Sequence, residues 1–201
     1  MPLETERKYL DVDMERLRLA LEECGAVCHG IHWEENMVFE TTPPSLLPSR
    51  RLLRLRTQAW PDGRRRHVLT LKLPAAGSVT FKVREERETV VQDAAVMRGI
   101  LEGLGYAVRA RYEKIREPWA FDGVEIAMDV LPFCRVVELE GPQDAIVRVA
   151  GLPGLDNSPF SVKSYHELHQ EWRRAKGLAP EESFVFDERE REAWFRRLKM
   201  T

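Results

Sequence analysis

The chain has 201 residues, enough for one domain with a substantial core and an appendage, but short for two full domains. Charged residues make up 32% of the chain, above the usual quarter, yet 31 Lys and Arg nearly cancel 33 Asp and Glu. This balance argues against bulk attraction to nucleic acid or to a membrane surface, so any polyanion would have to be met by local charge.

The location expected from the sequence is cytoplasmic. The chain contains no run of 18 apolar residues, and its beginning, Met1-Pro2-Leu3-Glu4, lacks a basic region followed by an apolar stretch. The three cysteines are odd in number and do not form an extracellular disulfide framework, so reduced thiols are expected. We therefore expect neither a membrane nor a nucleic-acid partner.

The first third of the chain predicts strands and one helix in alternation. A strand is predicted over Leu3–Leu10, followed by a helix that has Asp13 as its N-cap and ends at Gly25. A second strand is predicted over Ile31–Glu40, and the prolines of the following "TTPPSLLPS" exclude regular structure there. Residues 51–73 predict a hairpin around the turn "WPDGR".

The remainder predicts further strands and three helices. The strands are "VTFKVREERETVV", "YAVRARYEKIREPWAF", "GVEIAMDVL" and "RVVELEG". Helices are predicted between Asp93 and Tyr106 and over Gln143–Ala150. From Pro180 onward the pattern predicts a charged amphipathic helix, whose simplest roles are a packing lid or a dimer arm. The predicted organisation is a main domain over residues 1–175 and a helical extension over residues 176–201.

Charged side chains alternate with aliphatic ones in the predicted strands, so that one face of each strand carries the charge. An antiparallel sheet with its polar face in water would also alternate, but such a face usually mixes in Ser, Thr and Gln. Here nearly all the residues on the polar face are Arg, Lys and Glu. The cations on this face are Lys8, Arg54, Arg56, Lys72, Arg84, Lys114 and Arg116, and the anions are Glu4, Glu6, Glu86, Glu88, Asp129, Glu138 and Glu140.

A sheet that curls into a barrel could place these charges around a wet lumen, with helices covering the aliphatic outside. Unpartnered buried ions cost several kcal/mol each, so such a lumen requires water or a ligand. A ligand with many negative oxygens would satisfy the cations, and a divalent metal would satisfy the clustered carboxylates. Hard oxygen ligands suit Mg²⁺ or Mn²⁺, and no Cys/His set of the zinc type competes.

Eight short motifs resemble, in the same order, those of the CYTH superfamily, the triphosphate tunnel metalloenzymes. They are "ETERK" (Glu-x-Glu-x-Lys), "LRLR", "LTLK", "REERE" (Arg-x-Glu-x-Glu), "EKIR" (Lys-x-Arg), the Asp of "AMD", "ELE" and "KSYHEL", and they cover about residues 3–170. The resemblance implies an α+β fold: an eight-stranded antiparallel β-barrel, the triphosphate tunnel, with helices packed outside. It also implies a small-molecule triphosphate as substrate.

The resemblance also implies a role for each matching residue. The metal ligands would be Glu4, Glu6, Asp129, Glu138 and Glu140. The substrate-binding residues would be Lys8, Arg54, Arg56, Lys72, Arg84, Lys114 and Arg116, with Glu86 and Glu88 orienting basic side chains and Lys163 near the tunnel mouth. The residues expected to act in catalysis are Glu4, Glu6, Lys8, Arg56 and Arg116. The chain departs from the family pattern in its second predicted strand, where it has Asn36-Met37-Val38 and many relatives have Asp-x-Tyr. Whether this strand contributes residues to the site is therefore in question.

Two reactions would use these residues, and a third reading involves no reaction. Water attacking the terminal phosphorus would make the chain a triphosphatase, acting on tripolyphosphate, thiamine triphosphate or a nucleoside triphosphate. Attack by a nucleotide's own 3′-hydroxyl would make it a class IV adenylate cyclase. Hydrolysis is favoured over cyclisation, because no stretch of the sequence indicates a pocket for adenine and ribose. A non-catalytic polyphosphate-binding module is the third reading. A homodimer would be consistent with an apolar face on the C-terminal helix, formed by Phe184, Phe186, Trp194 and Phe195.

Overall fold

Over residues 3–75 and 80–200, which the computed structural model describes, the fold is a closed barrel of eight antiparallel strands with five helices packed outside. The strands are β1 (Leu3–Leu10), β2 (Val27–Cys28), β3 (His32–Thr41), β4 (Leu52–Ala59), β5 (Arg65–Pro74), β6 (Lys82–Val91), β7 (Tyr106–Phe121), β8 (Val124–Val130), β9 (Arg135–Glu140) and β10 (Phe160–Ser161). The helices are α1 (Met14–Glu23), α2 (Ala94–Gly103), α3 (Gln143–Val149), α4 (Tyr165–Ala175) and α5 (Glu188–Leu198). The α+β barrel predicted from the sequence is confirmed.

The barrel closes through its first strand. Neighbouring strands follow the order β1-β6-β5-β4-β3-β7-β8-β9, and β9 pairs back onto β1, with Arg7 opposite Leu139. The short strands β2 and β10 pair with β7 and β1 respectively. No helix in the described part of the chain is both long enough and apolar enough to span a bilayer.

The alternation of the strands separates a charged interior from an apolar exterior. Lys8 faces inward and Tyr9 faces outward, and their partners across β9 are Glu138 and Val137. The outer residues pack against the helices: Leu17 and Leu21 of α1 are fully buried in one cluster with residues of β8, β9 and α3. Because the aliphatic faces are covered by helices, the polar faces are left to line the lumen.

Strand polarity defines the two ends of the barrel. The antiparallel pairings bring the β4–β5 turn, residues 60–64, to the end where β1 and β3 begin and β9 finishes; we call it the hairpin end. The other end, which we call the α4 end, carries the β8–β9 turn, where Phe133 packs against His169 and Trp172 of α4. Helix α4 was not predicted; a capping box formed by Ser164 and Glu167 begins it.

The prediction of a helix from Pro180 onward is wrong about where the helix begins. The helix begins only at Glu188, after the N-cap Asp187, and the preceding residues run beside β7. The N–H of Phe184 donates to the carbonyl of Arg111, and the N–H of Glu113 donates to the carbonyl of Phe184, each at 3.0 Å. Pairing between β7 and β8 starts only at Ile115, so this segment continues the wall where β8 has finished.

The apolar residues suggested for a homodimer are used inside the chain. Phe184 and Phe186 are each 4% exposed and precede α5, whereas Trp194 and Phe195 of α5 pack on the cluster that contains Trp33. The packing role considered for this segment is therefore what the structure shows. A homodimer stays a prediction without this face to support it.

Two further boundaries differ from those predicted. A short 3₁₀ helix, Leu47–Ser49, interrupts the proline-rich stretch that was expected to lack regular structure. It is held by Glu40, whose carboxylate accepts hydrogen bonds from the backbone N–H groups of Thr41, Ser45, Leu46 and Leu47. Burial opposes the effect, but these four donors lower the pKa of Glu40 to about 2. The predicted "VTFKV" strand begins only at Lys82, and its first predicted residue, Val79, lies outside the described residues.

Candidate active site: a charged cavity inside the barrel

The barrel encloses a cavity of about 370 Å³ whose wall is made mostly of charged side chains. All eight barrel strands contribute inward-facing residues to it, as the alternation in the sequence requires. Its cationic residues are Lys8, Arg54, Arg56, Arg66, Lys72, Lys82, Lys114 and Arg116, and its anionic residues are Glu4, Glu6, Glu86, Glu88, Glu125, Glu138 and Glu140.

Toward the α4 end the charges are paired. The Lys8 ammonium lies 2.6 Å from Glu6 and 2.7 Å from Glu138. Arg116 donates to both oxygens of Asp129, at 2.8 and 2.6 Å, and to Glu138 at 2.8 Å. Burial opposes ionisation, but the charges of Lys8 and Arg116 hold the pKa of Glu138 well below its usual range. These carboxylates therefore keep the cations charged and fixed in position.

A tyrosine of α4 enters this network. The Tyr165 hydroxyl donates to Asp129 at 2.5 Å and lies 3.2 Å from Glu138, while the Lys8 and Lys114 ammonium groups are each 5.2 Å from the centre of its ring. Burial and the charges of the two carboxylates raise the pKa of Tyr165 well above its usual range, so the hydroxyl stays a donor. Helix α4 thus supplies part of the cavity wall.

Strand β3 carries a fully buried carboxylate, Glu34, that the charge pattern of the strands did not indicate. Glu34 lies 3.4 Å from Lys114 and 3.8 Å from Arg56, and it accepts a hydrogen bond from Gln58 at 3.1 Å. Burial opposes ionisation, but Lys114 and Arg56 hold the pKa of Glu34 well below its usual range. On the strand whose contribution was questioned at Asn36, Glu34 thus lies one inward position earlier, behind the cavity wall, and pairs with cations that line the cavity.

Carboxyl groups near the beginning of β1 and the end of β9 lack this compensation. Burial, a hydrogen bond with Glu86 and the charge of Glu140 raise the pKa of Glu4 to about 9. Burial and the charges of Glu138 and Glu125 raise the pKa of Glu140 to about 7. Negative charge is in excess here, although Lys72 forms an ion pair with Glu86.

Two of these carboxyl groups have the chemistry that a divalent metal requires. In residues 3–75 and 80–200, no three carboxylate, imidazole or thiol groups are arranged to hold a metal ion as the side chains stand. The chemistry of Glu4 and Glu140 nevertheless fits Mg²⁺ or Mn²⁺, because both are oxygen donors whose pKa values are raised by burial and by neighbouring carboxylates. Asp129 and Glu138 fit less well, because lysine and arginine already neutralise them.

Most of the residues predicted for the site line the cavity. All five predicted catalytic residues do so, as do the predicted substrate-binding residues of β1, β4, β5 and β7 and the two orienting glutamates. Three predicted residues do not. Asp129 is buried behind Arg116, Arg84 donates to the carbonyl of Arg50, and Lys163 forms an exposed ion pair with Glu171.

Several cavity residues were missed, and each carried at most a weak signal. Lys82 lies 2.6 Å from Glu6 and shares the strand parity of Arg84, which was selected instead. Burial and the charge of Lys8 lower the pKa of Lys82. Tyr165 belongs to the quoted motif "KSYHEL", but nothing in the sequence shows where its ring lies. His32, Gln58 and Trp60 have no charge pattern that would have indicated them.

Comparison with known proteins gives one family. The model of the CYTH domain matches residues 2–152. No curated protein matches the chain.

Solved structures share the fold at low sequence identity. The PH1819 protein of Pyrococcus horikoshii OT3 is 22% identical with a TM-score of 0.69, covering 84% of this chain and 98% of that one. A Vibrio parahaemolyticus protein provisionally described as an adenylate cyclase is 20% identical with a TM-score of 0.69, covering 83% and 97%. A Hippeastrum protein, provisionally an adenylyl cyclase and described as having a dominant triphosphatase activity, is 15% identical with a TM-score of 0.60, covering 89% and 97%.

Proposed function

The chain belongs to the CYTH domain family, and from this premise we propose that it binds the triphosphate group of a small molecule inside the barrel and hydrolyses it with the help of a divalent metal. The observation that carries the proposal is the number of cationic side chains directed into one cavity. A triphosphate brings several negative oxygens, and charge-assisted hydrogen bonds from Arg and Lys are the strongest means of holding them.

Five of the cations that line the cavity form two groups, which differ in the partners that they already have. Lys8, Lys114 and Arg116 are held by Glu138 and Asp129, and they present fixed positive charge to the cavity. Arg54 and Arg56 on β4 are less completely paired: the Nε atoms of both are buried without a hydrogen-bond partner in the described part of the chain. Phosphate oxygens would supply these missing acceptors.

Phosphoryl transfer depends mainly on positioning and on stabilising negative charge in a loose transition state. In our proposal Arg54 and Arg56 hold the phosphate chain, and Lys8 and Arg116 stabilise charge as the bond to the terminal phosphorus breaks. Glu6 positions Lys8 and Lys82, because it lies 2.6 Å from each ammonium group. Water would be the attacking group.

The metal would be held by Glu4 and Glu140, with Glu6 beside them. When bound, Mg²⁺ or Mn²⁺ would neutralise phosphate oxygens and favour attack on phosphorus. The descriptions of the Vibrio and Hippeastrum proteins name cyclase and triphosphatase activities of those proteins, and both reactions start from a triphosphate. Cyclisation of ATP is therefore the alternative that an experiment must distinguish.

The test is to incubate the protein with tripolyphosphate, ATP or thiamine triphosphate in Mg²⁺ or Mn²⁺ and to measure phosphate, pyrophosphate and cyclic AMP. Phosphate release supports hydrolysis, whereas cyclic AMP together with pyrophosphate supports cyclisation. Absence of any product with every substrate, while tripolyphosphate still binds, would indicate a binding module instead.

Two variants test the site. Glu6→Gln and Arg56→Ala should each lower kcat/KM at least about 100-fold, because each removes charge from the cavity wall. Glu23→Gln and Arg16→Ala make the same changes on the exposed surface of α1 and should leave the rate unchanged. Near-normal kcat/KM values in both cavity variants would show that the cavity is not the active site.

A further inference from the structure

The wall of the cavity changes character at the hairpin end. Along β4 the inward residues are Leu52, Arg54, Arg56 and Gln58, and Trp60 follows directly after the strand. Successive inward positions of a strand lie about 6.6 Å apart. After Arg56, the next inward position carries the amide of Gln58, and the position after that carries the aromatic ring of Trp60.

The ring of Trp60 is held in place at this end. Its centroid lies 4.9 Å from that of His32, with 34° between the planes, and the Arg64 guanidinium carbon lies 5.0 Å from the Trp60 ring centroid. The backbone N–H of Trp60 donates to the carbonyl of Arg64, which closes the turn. Trp60 is only partly buried and lines the cavity.

Gln58, whose Nε2 lies 3.2 Å from His32 Nε2, supplies an unused hydrogen-bond acceptor at this end. Its Nε2 donates to the Glu34 carboxylate at 3.1 Å, and since a carboxylate can only accept, this contact fixes which way the amide points. Its Oε1 is buried and has no hydrogen-bond partner within the described residues, although the residue lines the cavity. A ligand that donates an N–H here would satisfy it.

From this juxtaposition we infer that the hairpin end is a subsite for an amino-substituted heteroaromatic ring attached to the triphosphate, packed on Trp60 and donating to Gln58 Oε1. The inference rests on the proposed function and makes it narrower: the substrate would be an organic triphosphate rather than tripolyphosphate. The phosphates would lie against Arg54 and Arg56, and the spacing along β4 leaves room for a short linker between them and the ring.

Stacking on an aromatic side chain contributes enough to be measured. Alanine substitutions of such residues weaken base binding by roughly 5-fold to 150-fold. Trp60→Ala should therefore weaken the binding of an organic triphosphate within this range, and Trp60→Phe should recover part of the loss. Tripolyphosphate has no ring, so its affinity should change less than about 2-fold in either variant.

The experiment is isothermal titration calorimetry of the whole chain with ATP and with tripolyphosphate, in EDTA so that no turnover occurs. We expect the wild type to bind ATP more tightly than tripolyphosphate, and Trp60→Ala to remove that difference. Equal losses for both ligands in Trp60→Ala, or a wild type that prefers tripolyphosphate, would overturn the inference and leave the proposed function intact. Binding of neither ligand to the wild type, in EDTA and also in a parallel titration with Mg²⁺, would overturn the proposed function itself.

Discussion

Replacement of Glu140 by Gln should stabilise the metal-free protein, and the gain should depend on pH. Burial and the neighbouring charges of Glu138 and Glu125 raise the pKa of Glu140 from 4.5 to about 7. A raised carboxyl pKa means that the folded state holds the proton longer than the unfolded state. The contribution of Glu140 to the free energy of unfolding is therefore fully present below pH 4.5, decreases as the pH rises toward 7, and is lost above it.

The size of this change in the free energy of unfolding follows from the rise in the pKa of Glu140. Each pKa unit corresponds to about 1.4 kcal/mol, so the ionised Glu140 costs the folded state about 3 kcal/mol above pH 7. Glutamine carries no charge and avoids this cost. Glu140→Gln should be more stable than the wild type by up to about 3 kcal/mol at about pH 8, and by much less at about pH 5.

Urea unfolding followed by tryptophan fluorescence, in EDTA at about pH 5 and about pH 8, measures the difference. Glu23→Gln, which removes a carboxylate from the exposed end of α1, is the matched control and should match the wild type at both values. If Glu140→Gln gave no gain at the higher pH, or the same gain at both pH values, Glu140 would not lie in an excess of negative charge.

Three further results are expected. Mg²⁺ should raise the melting temperature of the wild type at about pH 8 by more than that of Glu140→Gln, since the ion would neutralise the same excess charge; equal shifts in thermal scans would contradict this. Tyr165→Phe should lower the free energy of unfolding by about 1–3 kcal/mol, because Asp129 loses a buried donor, and an unchanged urea midpoint would show that the hydroxyl is dispensable. Phe184→Ala should cost about 3–5 kcal/mol by removing its packing on Tyr112, whereas a loss below about 1 kcal/mol would mean that the C-terminal segment is not part of the barrel wall.

The charge pattern of the sequence predicted the cavity because a strand has a fixed side-chain period. Once the hydrophobic positions of β1, β4 and β9 were assigned to the outside, Lys8, Arg56 and Glu138 had to point inward. The same rule selected Arg84, whose parity is correct, but parity does not show that its side chain would reach out to the carbonyl of Arg50.

Other parts of the site depend on contacts between distant segments. "WEEN" contains adjacent glutamates, so the sequence alone did not show which one would be buried; the pairing of β3 with β7 selects Glu34 by placing it opposite Lys114. Helix α4 carries Tyr165, Leu168 and Trp172 at helical spacing, but this pattern does not show that the Tyr165 side chain would reach the cavity. Residues Phe184 and Phe186 precede a helix closely enough in sequence to be read as part of it, yet pairing with β7 holds Phe184 in an extended segment.

Closure of the barrel by β1 has a consequence for biosynthesis. Strand β1 carries Glu4, Glu6 and Lys8, but its partner β9 leaves the ribosome only after almost the whole barrel sequence has been made. Contacts this distant in sequence slow folding, because a long loop must close before they form. We therefore expect the nascent chain to be inactive until β9 emerges, and its first strand to stay without its final neighbour for most of translation.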